Sequence, residues 1–380
     1  MKLRKLIALL LAVALMATLV TSCAKKDPAA PDATPATDGD STEFNGDIDF
    51  IAAYEAYKPT DVMMTVGGSD VTWDLLYYFL AMAIDEVTQM MGGIAPDLSV
   101  EDSTEEGTIN FKEQILTRAL DGVMTYKAIE YGAAQFGATL TDDDLAAVAL
   151  NRQFAEDEFG GAEAFSAELL NYGMSEEVYM YLTSIGYLYD NTVAAIYGAN
   201  GADITDADVA AASTDADWLM AKHILFLITD MMEPAEVVEI VDRANGVLDD
   251  ISAFEGNDFD MYFTSLIKEH GEDPGAEMSP EGYLFSANEM VPEFEQGTRD
   301  LEIGGVSGLI QTSYGYHIIY RLPVNYDAVP MRWRQQNYNY TLRMDTAFTK
   351  FQDDIEAWKL EMAVENTATY DALDIAKVFK

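Results

Sequence analysis

Cysteine occurs once in the 380 residues, at Cys23, which excludes an intrachain disulfide. Basic side chains are scarce as well: 22 Lys and Arg stand against 66 Asp and Glu, a formal net charge of −44. A surface of that sign repels phosphate backbones and anionic headgroups, so nucleic acid is excluded as a partner class. The acid is spread along the chain, and no Asp-rich loop has the spacing of an EF-hand. It reads as a solvated exterior rather than a calcium store. The apolar run Leu6–Val20 is shorter than the ~20 residues needed to cross a bilayer. No repeat of fixed period is evident.

What is present divides the chain. Met1-Lys2-Leu3-Arg4-Lys5 followed by that apolar run reads as a secretory signal over residues 1–22. Val20-Thr21-Ser22-Cys23 resembles a bacterial lipobox. The resemblance implies that Cys23 is lipidated, becomes the first residue of the mature chain and anchors it outside the cytoplasmic membrane. Two or more acyl chains would be needed for firm anchoring. The plain alternative is a free thiol beside an ordinary cleavage site. Residues 23–45, rich in Pro, Ala, Asp and Thr, read as a flexible tether.

Residues 46–215 read as a helical domain. Val62–Val66 suggests a strand, Gly67-Gly68-Ser69-Asp70 a turn, and Thr72 a cap for a helix carrying Trp73, Leu75, Leu76, Tyr78, Phe79 and Met82. Further helices are expected over Ile109–Phe136, from a Thr141/Asp144 cap through Phe159, and from Ser175-Glu176-Glu177 to about Tyr197. Residues 325–380 hold a block, Met331–Ala363, that is helical in period but too aromatic to sit alone in water. It is expected to fold back on the first domain; a separate C-terminal hairpin is the alternative. The methionines of these helices read as core, and any that are exposed would suit adaptable contacts with unfolded chains.

Four segments carry the chemistry: Ala221-Lys222-His223-Ile224-Leu225, Glu272-Asp273-Pro274-Gly275, Glu289-Met290-Val291-Pro292-Glu293-Phe294, and Tyr314-Gly315-Tyr316-His317-Ile318-Ile319. In this order, over residues 216–324, they resemble the parvulin-type peptidyl-prolyl cis/trans isomerases. The strand, turn and helix at Val62–Met82 are similar to the opening of secreted foldases of the PrsA and SurA kind. The resemblance implies an α+β fold: a parvulin domain, four antiparallel strands with helices, inserted in a mainly helical SurA/PrsA-like chaperone body. Helices are expected over Ala235–Ala253 and Phe259–Glu269, and a hairpin over Val306–Leu322 turning at Ser313-Tyr314-Gly315.

Rotation about an X-Pro bond crosses a barrier of ~18–20 kcal/mol set by amide resonance, and breaks no bond. A catalyst need only hold the twisted amide better than either planar isomer. That requires an apolar cup for the proline ring and a few polar groups about the carbonyl, with no metal and no cofactor. By the resemblance, His223 and His317 lie side by side beneath the site with Thr312 orienting them. Asp273 faces the substrate carbonyl, Met290 and Phe294 floor the proline pocket on one helix face, and Phe285 completes its wall. Each has a plainer reading: a strand histidine is commonly a satisfied core residue, Phe294 alone is packing, and Asp273 beside Pro274-Gly275 is a turn residue. His270 matches no motif position and is expected to be exposed.

Two departures stand out. Where many parvulins have Gly-Gly-Asp-Leu-Gly, this chain has Ser279-Pro280-Glu281-Gly282-Tyr283-Leu284, which puts Phe285 and the pocket edge in question. The loop Thr229-Asp230-Met231-Met232-Glu233-Pro234 has no Lys or Arg, so its carboxylates would repel a phosphoryl group.

The leading expectation is a lipid-anchored isomerase that helps unfolded or partly folded secreted polypeptides to fold, on a Gram-positive-like surface by family habit. The alternative is a non-catalytic holdase that binds clients through its helical domain. A solute-binding lipoprotein is opposed by the lack of alternating strand and helix units. Oligomeric state is left open, a homodimer included.

Overall fold

A computed structural model describes residues 48–99, 102–104, 107–171, 173–212, 218–336 and 338–380. The leader, the lipobox with Cys23 and the tether lie outside the described residues. The chain forms two compact units. One takes the described residues up to Ile196 together with Lys350–Lys380, and the other, Tyr197–Thr349, interrupts it in sequence.

The first unit is mostly helical because its sequence caps helices well. Phe111–Phe136 starts at Asn110, whose side chain accepts the Glu113 N–H at 3.0 Å, and ends at left-handed Gly137. Asp142–Phe159 has a reciprocal capping box between Thr141 and Asp144. Glu176–Tyr197 starts where Ser175 Oγ accepts the Val178 N–H at 3.0 Å.

Three local expectations need correction. Thr72 precedes the helix Trp73–Met90 but does not cap its backbone, because its hydroxyl donates instead to Asp74 Oδ1 at 2.5 Å. The turn expected over Gly67–Asp70 is only Gly67-Gly68; both take positive φ, as glycine allows, and Ser69–Thr72 becomes a second strand. The helix expected from Ile109 begins at Phe111, since Ile109 closes a short strand, Gly107–Ile109, paired with Asp102–Thr104.

Val62–Val66 is the centre of a three-stranded antiparallel sheet, between Ser69–Thr72 and Val364–Asn366. Met331–Ala363 is two helices, Met331–Gln335 and Leu342–Glu361, with Tyr338 and Tyr340 stacked between them at 6.0 Å. Within the first unit Phe351, Ile355 and Trp358 are buried, and Phe351 meets Tyr189 edge to face at 4.7 Å.

The second unit holds the sheet on which the motifs lie. The elements that build and cover this sheet are β1 (Leu219–Leu227), α1 (Pro234–Ser252), α2 (Phe259–His270), β2 (Tyr283–Phe285), α3 (Pro292–Arg299), β3 (Ile310–Thr312) and β4 (Gly315–Leu322). All pairs are antiparallel, in the order β2-β1-β4-β3. This is the α+β arrangement that the resemblance implies. β1 is buried from Leu219 through Phe226, so period-two alternation divides it between two cores. Ile224 and Phe226 pack with Ile318, Tyr320, Val247 and Phe263 on the face covered by α1 and α2. Leu219 and Ala221 pack with Phe285, Phe294 and Ile319 on the other.

Lys222, on the α1/α2 side, is itself buried, and its ammonium is consumed by Asp260 at 2.6 and 2.8 Å and Thr264 at 3.0 Å. The hairpin between β3 and β4 closes at Gly315, φ 135°, where a Cβ would stand 2.2 Å from the Phe226 carbonyl oxygen. Only glycine fits that approach.

Candidate active site

Strand register builds the centre of the site. His223 pairs with Ile319 and Leu225 with His317, so the two histidines are diagonal neighbours on one face of adjacent strands. Their Nδ1 atoms are 3.0 Å apart, and the rings stack with centroids at 5.1 Å. His317 Nε2 lies 2.8 Å from Thr312 Oγ1, which also accepts the Tyr314 N–H at 3.1 Å. His223 Nε2 lies 2.9 Å from Asp273 Oδ2. Asp273, Thr312 and both histidines therefore form one unbroken line.

Asp273 sits in the loop after α2, where it is also a turn residue: its Oδ1 accepts the Gly275 N–H at 2.9 Å. Its Oδ2 accepts a further bond, from the Tyr283 hydroxyl at 2.5 Å. Burial alone would raise the Asp273 carboxyl, but bonds from His223, Tyr283 and the Gly275 N–H, with the charge of His223, outweigh it and hold the group well below the carboxylate range. Tyr283 responds in the opposite sense: burial, then the bond to Asp273 and its charge, push the phenol up, with Arg334 partly offsetting them. Burial, and repulsion from a protonated His223, lower His317 to about 4, against a smaller upward pull from Asp273.

The apolar residues surround this line unevenly. Phe294 is buried, with its ring edge-on to His223 at 5.1 Å and to His317 at 5.4 Å. Phe285 is fully buried and lies behind Phe294 at 5.9 Å rather than at an open wall. Met290 packs against the same cluster, but it does not share a helix with Phe294. Pro292 opens α3 and Val291 before it is extended, so Met290 stands in the preceding turn. A cleft of about 430 Å³ opens onto His223, Asp273 and Tyr283, with Lys268, Glu277 and Pro280 also in its lining. Neither Met290 nor Phe294 lines it. His270 is partly covered rather than exposed and lies beside Glu269, 3.8 Å away. Among the described residues no group of three or more His, Cys, Asp or Glu is placed to hold a metal ion.

Residues 223–322 match the family model described as Rotamase, the PPIC-type PPIASE domain. This segment is a parvulin-type rotamase domain. The chain is similar to the chaperone SurA of Nitrosospira multiformis, with 29% identity over 141 residues, covering 37% of this chain and 30% of that protein. It is also similar to the foldase protein PrsA of Halalkalibacterium halodurans, with 41% identity over 85 residues, or 22% of this chain and 23% of that one. The chain thus spans less than a third of the length of either relative. Among solved structures, PrsA from Bacillus subtilis overlaps 70% of this chain and 92% of its own at 20% identity, with a TM-score of 0.27.

The rotamase match begins at His223 and ends at Leu322, so it contains His223, Asp273, Phe285, Met290, Phe294, Thr312 and His317. Sequence reasoning missed Tyr283. The signal was available: Tyr283 stands inside the departure from Gly-Gly-Asp-Leu-Gly, and a phenol at the start of a short strand brings an O–H donor where that pattern has none.

Proposed function

We propose that the rotamase domain catalyses cis/trans rotation about X-Pro bonds in unfolded or partly folded secreted polypeptides. The observation that supports the reading is the line Asp273–His223–His317–Thr312, which fixes an ionised carboxylate on the cleft, with Phe294 edge-on to both histidines. A planar amide owes its stiffness to a charge-separated form with negative oxygen and positive nitrogen. An anion held close to the carbonyl oxygen raises the energy of that form. The twisted amide, whose oxygen carries less charge, is penalised less, so the barrier falls. Asp273 needs no proton transfer for this role. Its neighbours, all donors, keep it charged and stationary.

The test is two-dimensional exchange NMR on a panel of proline tetrapeptides with the full chain and its Asp273→Ala form. Acceleration that Asp273→Ala abolishes is the expected result. A folded wild-type chain that leaves the exchange rate at its uncatalysed value would overturn the reading.

A second reading, a holdase acting through the helical unit, has its own support. Met82, Met90, Phe136, Leu145, Leu150 and Phe154 are large apolar side chains exposed on those helices. Suppression of client aggregation that survives Asp273→Ala would separate that role from catalysis. Lipid on Cys23, and with it a place on the outer side of the membrane, is supported by the lipobox alone. Cys23→Ser should release the chain from the membrane fraction. Sedimentation of the released chain would test for a homodimer.

A further inference from the structure

We propose that the helix Met331–Gln335, which lies beyond the rotamase match, is a strap that fixes the segment Met278–Met290 and so holds Tyr283 on Asp273. The inference rests on the isomerase reading above and assigns Arg332 and Arg334 as positioning residues for it.

The strap grips that segment at both ends. Near its start, Arg334 Nη1 donates to the Met278 carbonyl and to Ser279 Oγ, the latter at 2.9 Å. Near its finish, Arg332 Nη1 is 3.2 Å from Glu289 Oε1. Glu289 in turn accepts from the Ser286 N–H at 3.2 Å and the Ser286 hydroxyl at 2.7 Å, which closes the turn leading to Met290. Between the two grips lie Tyr283, whose hydroxyl is on Asp273, and Phe285, which backs Phe294.

The strap is anchored in its turn. Trp333 meets Trp218, the residue before β1, edge to face at 6.2 Å, and the Arg332 guanidinium lies 5.0 Å from the Trp218 ring and 5.4 Å from the Trp333 ring. A planar fork that stacks and donates at once is a task for arginine rather than lysine. Of the segment itself, β2 contributes only three residues to the sheet. Tyr283 pairs with Ala221 at the start of β2, and the strap adds side-chain grips on either side of that short pairing.

The charged and titratable groups facing Asp273 are His223 on β1 and Tyr283 on β2, with Lys222, Lys268 and Glu277 in the shared cleft and Arg334 acting on Tyr283. The experiment uses the full chain and three variants, Arg334→Ala, Arg334→Lys and Tyr283→Phe. It measures kcat/KM on a proline tetrapeptide and follows the Asp273 carboxyl titration by its carbon-13 resonance. Arg334→Ala should lower kcat/KM about tenfold, the scale of a small misplacement at a preorganised site, and should move the Asp273 midpoint upward. Arg334→Lys should return part of both. Tyr283→Phe, which keeps its ring packing, should reproduce the titration shift alone if Arg334→Ala does not fold.

An active wild type with either kcat/KM or the midpoint unmoved in Arg334→Ala overturns the strap and leaves the isomerase reading standing. So does a midpoint unmoved in Tyr283→Phe. An inactive wild type sinks both.

Discussion

Nδ1 of His223 and Nδ1 of His317 face each other at 3.0 Å, so one imidazole donates and the other accepts. Asp273 decides which. An ionised carboxylate only accepts, so His223 carries its proton on Nε2 and, when neutral, offers a bare Nδ1. His317 then donates from Nδ1 and accepts at Nε2 from the Thr312 hydroxyl, whose oxygen takes the Tyr314 N–H. These tautomers follow from the hydrogen-bond network. One anion sets the direction of every bond in the line.

The first prediction removes that anion with little change of shape. Asp273→Asn keeps an oxygen acceptor but loses the charge and brings an N–H₂ donor toward His223 or Tyr283. Isomerase kcat should fall by about tenfold to a hundredfold, while unfolding free energy drops by only about 1–2 kcal/mol. Exchange NMR with urea melts checks both. Equal activity in the two proteins would remove charge from the mechanism.

The second concerns pH. His317 in the fold titrates at about 4, below the 6.5 of an unstructured histidine, because it is buried and faces His223. The unfolded chain therefore binds the extra proton first, and stability rises with pH across that interval. The contribution is complete above about 6.5 and is lost as pH falls toward 4, a change of roughly 3 kcal/mol. Asp273, also held low in the fold, adds a loss of the same sign as pH falls below its ordinary 3.8. Urea melts of the wild type and His317→Gln, repeated from pH 7.5 to 4.5, should show the wild type declining more steeply.

The third separates binding from packing in the apolar cluster. Phe294→Ala opens a hole between two histidines and Phe285 and should cost about 3–5 kcal/mol of stability. Met290 is only partly buried, so Met290→Ala should cost about 1–2 kcal/mol while lowering kcat/KM severalfold. A Met290→Ala protein with wild-type kinetics would take this side chain out of the proline pocket.

A fourth tests two close approaches. Gly315→Ala would drive a Cβ to 2.2 Å from the Phe226 carbonyl in the rotamase sheet, and Gly132→Ala would place one 2.2 Å from the Trp358 ring in the helical unit. Each should destabilise its own unit by more than about 2 kcal/mol. In calorimetry, a wild-type melting profile for either would contradict the packing described.

The candidate site was legible through a resemblance rather than through local pattern. His223, His317, Thr312 and Asp273 were reached through the order of the four segments that resemble parvulins, and the structure brings them together. The helix start at Thr141 was legible because capping is a matter of a few adjacent residues, whereas the Asn110 cap was missed. What failed depended on contacts distant in sequence or on competing local bonds. Thr72 had the right side chain for a cap but a nearer partner in Asp74. The Met290–Phe294 spacing suggested one helix face until Pro292 set its start. Tyr283 gains its role from an aspartate ten residues earlier, which no periodicity announces. The pairing of Val62–Val66 with Val364–Asn366 is beyond the reach of any local rule.

That last pairing also sets an order of events. Thr367 Oγ1 donates to the Met63 carbonyl across 304 residues of chain, so the central strand of the small sheet gains its second neighbour only after Tyr197–Thr349 has been made. Tyr197–Thr349 is one contiguous stretch of chain. Contacts of short sequence separation form sooner, and domains fold as they emerge. The rotamase fold is therefore expected to form while the helical unit still lacks Val364–Asn366, and a chain cut before Val364 would leave Val62–Val66 paired with Ser69–Thr72 alone.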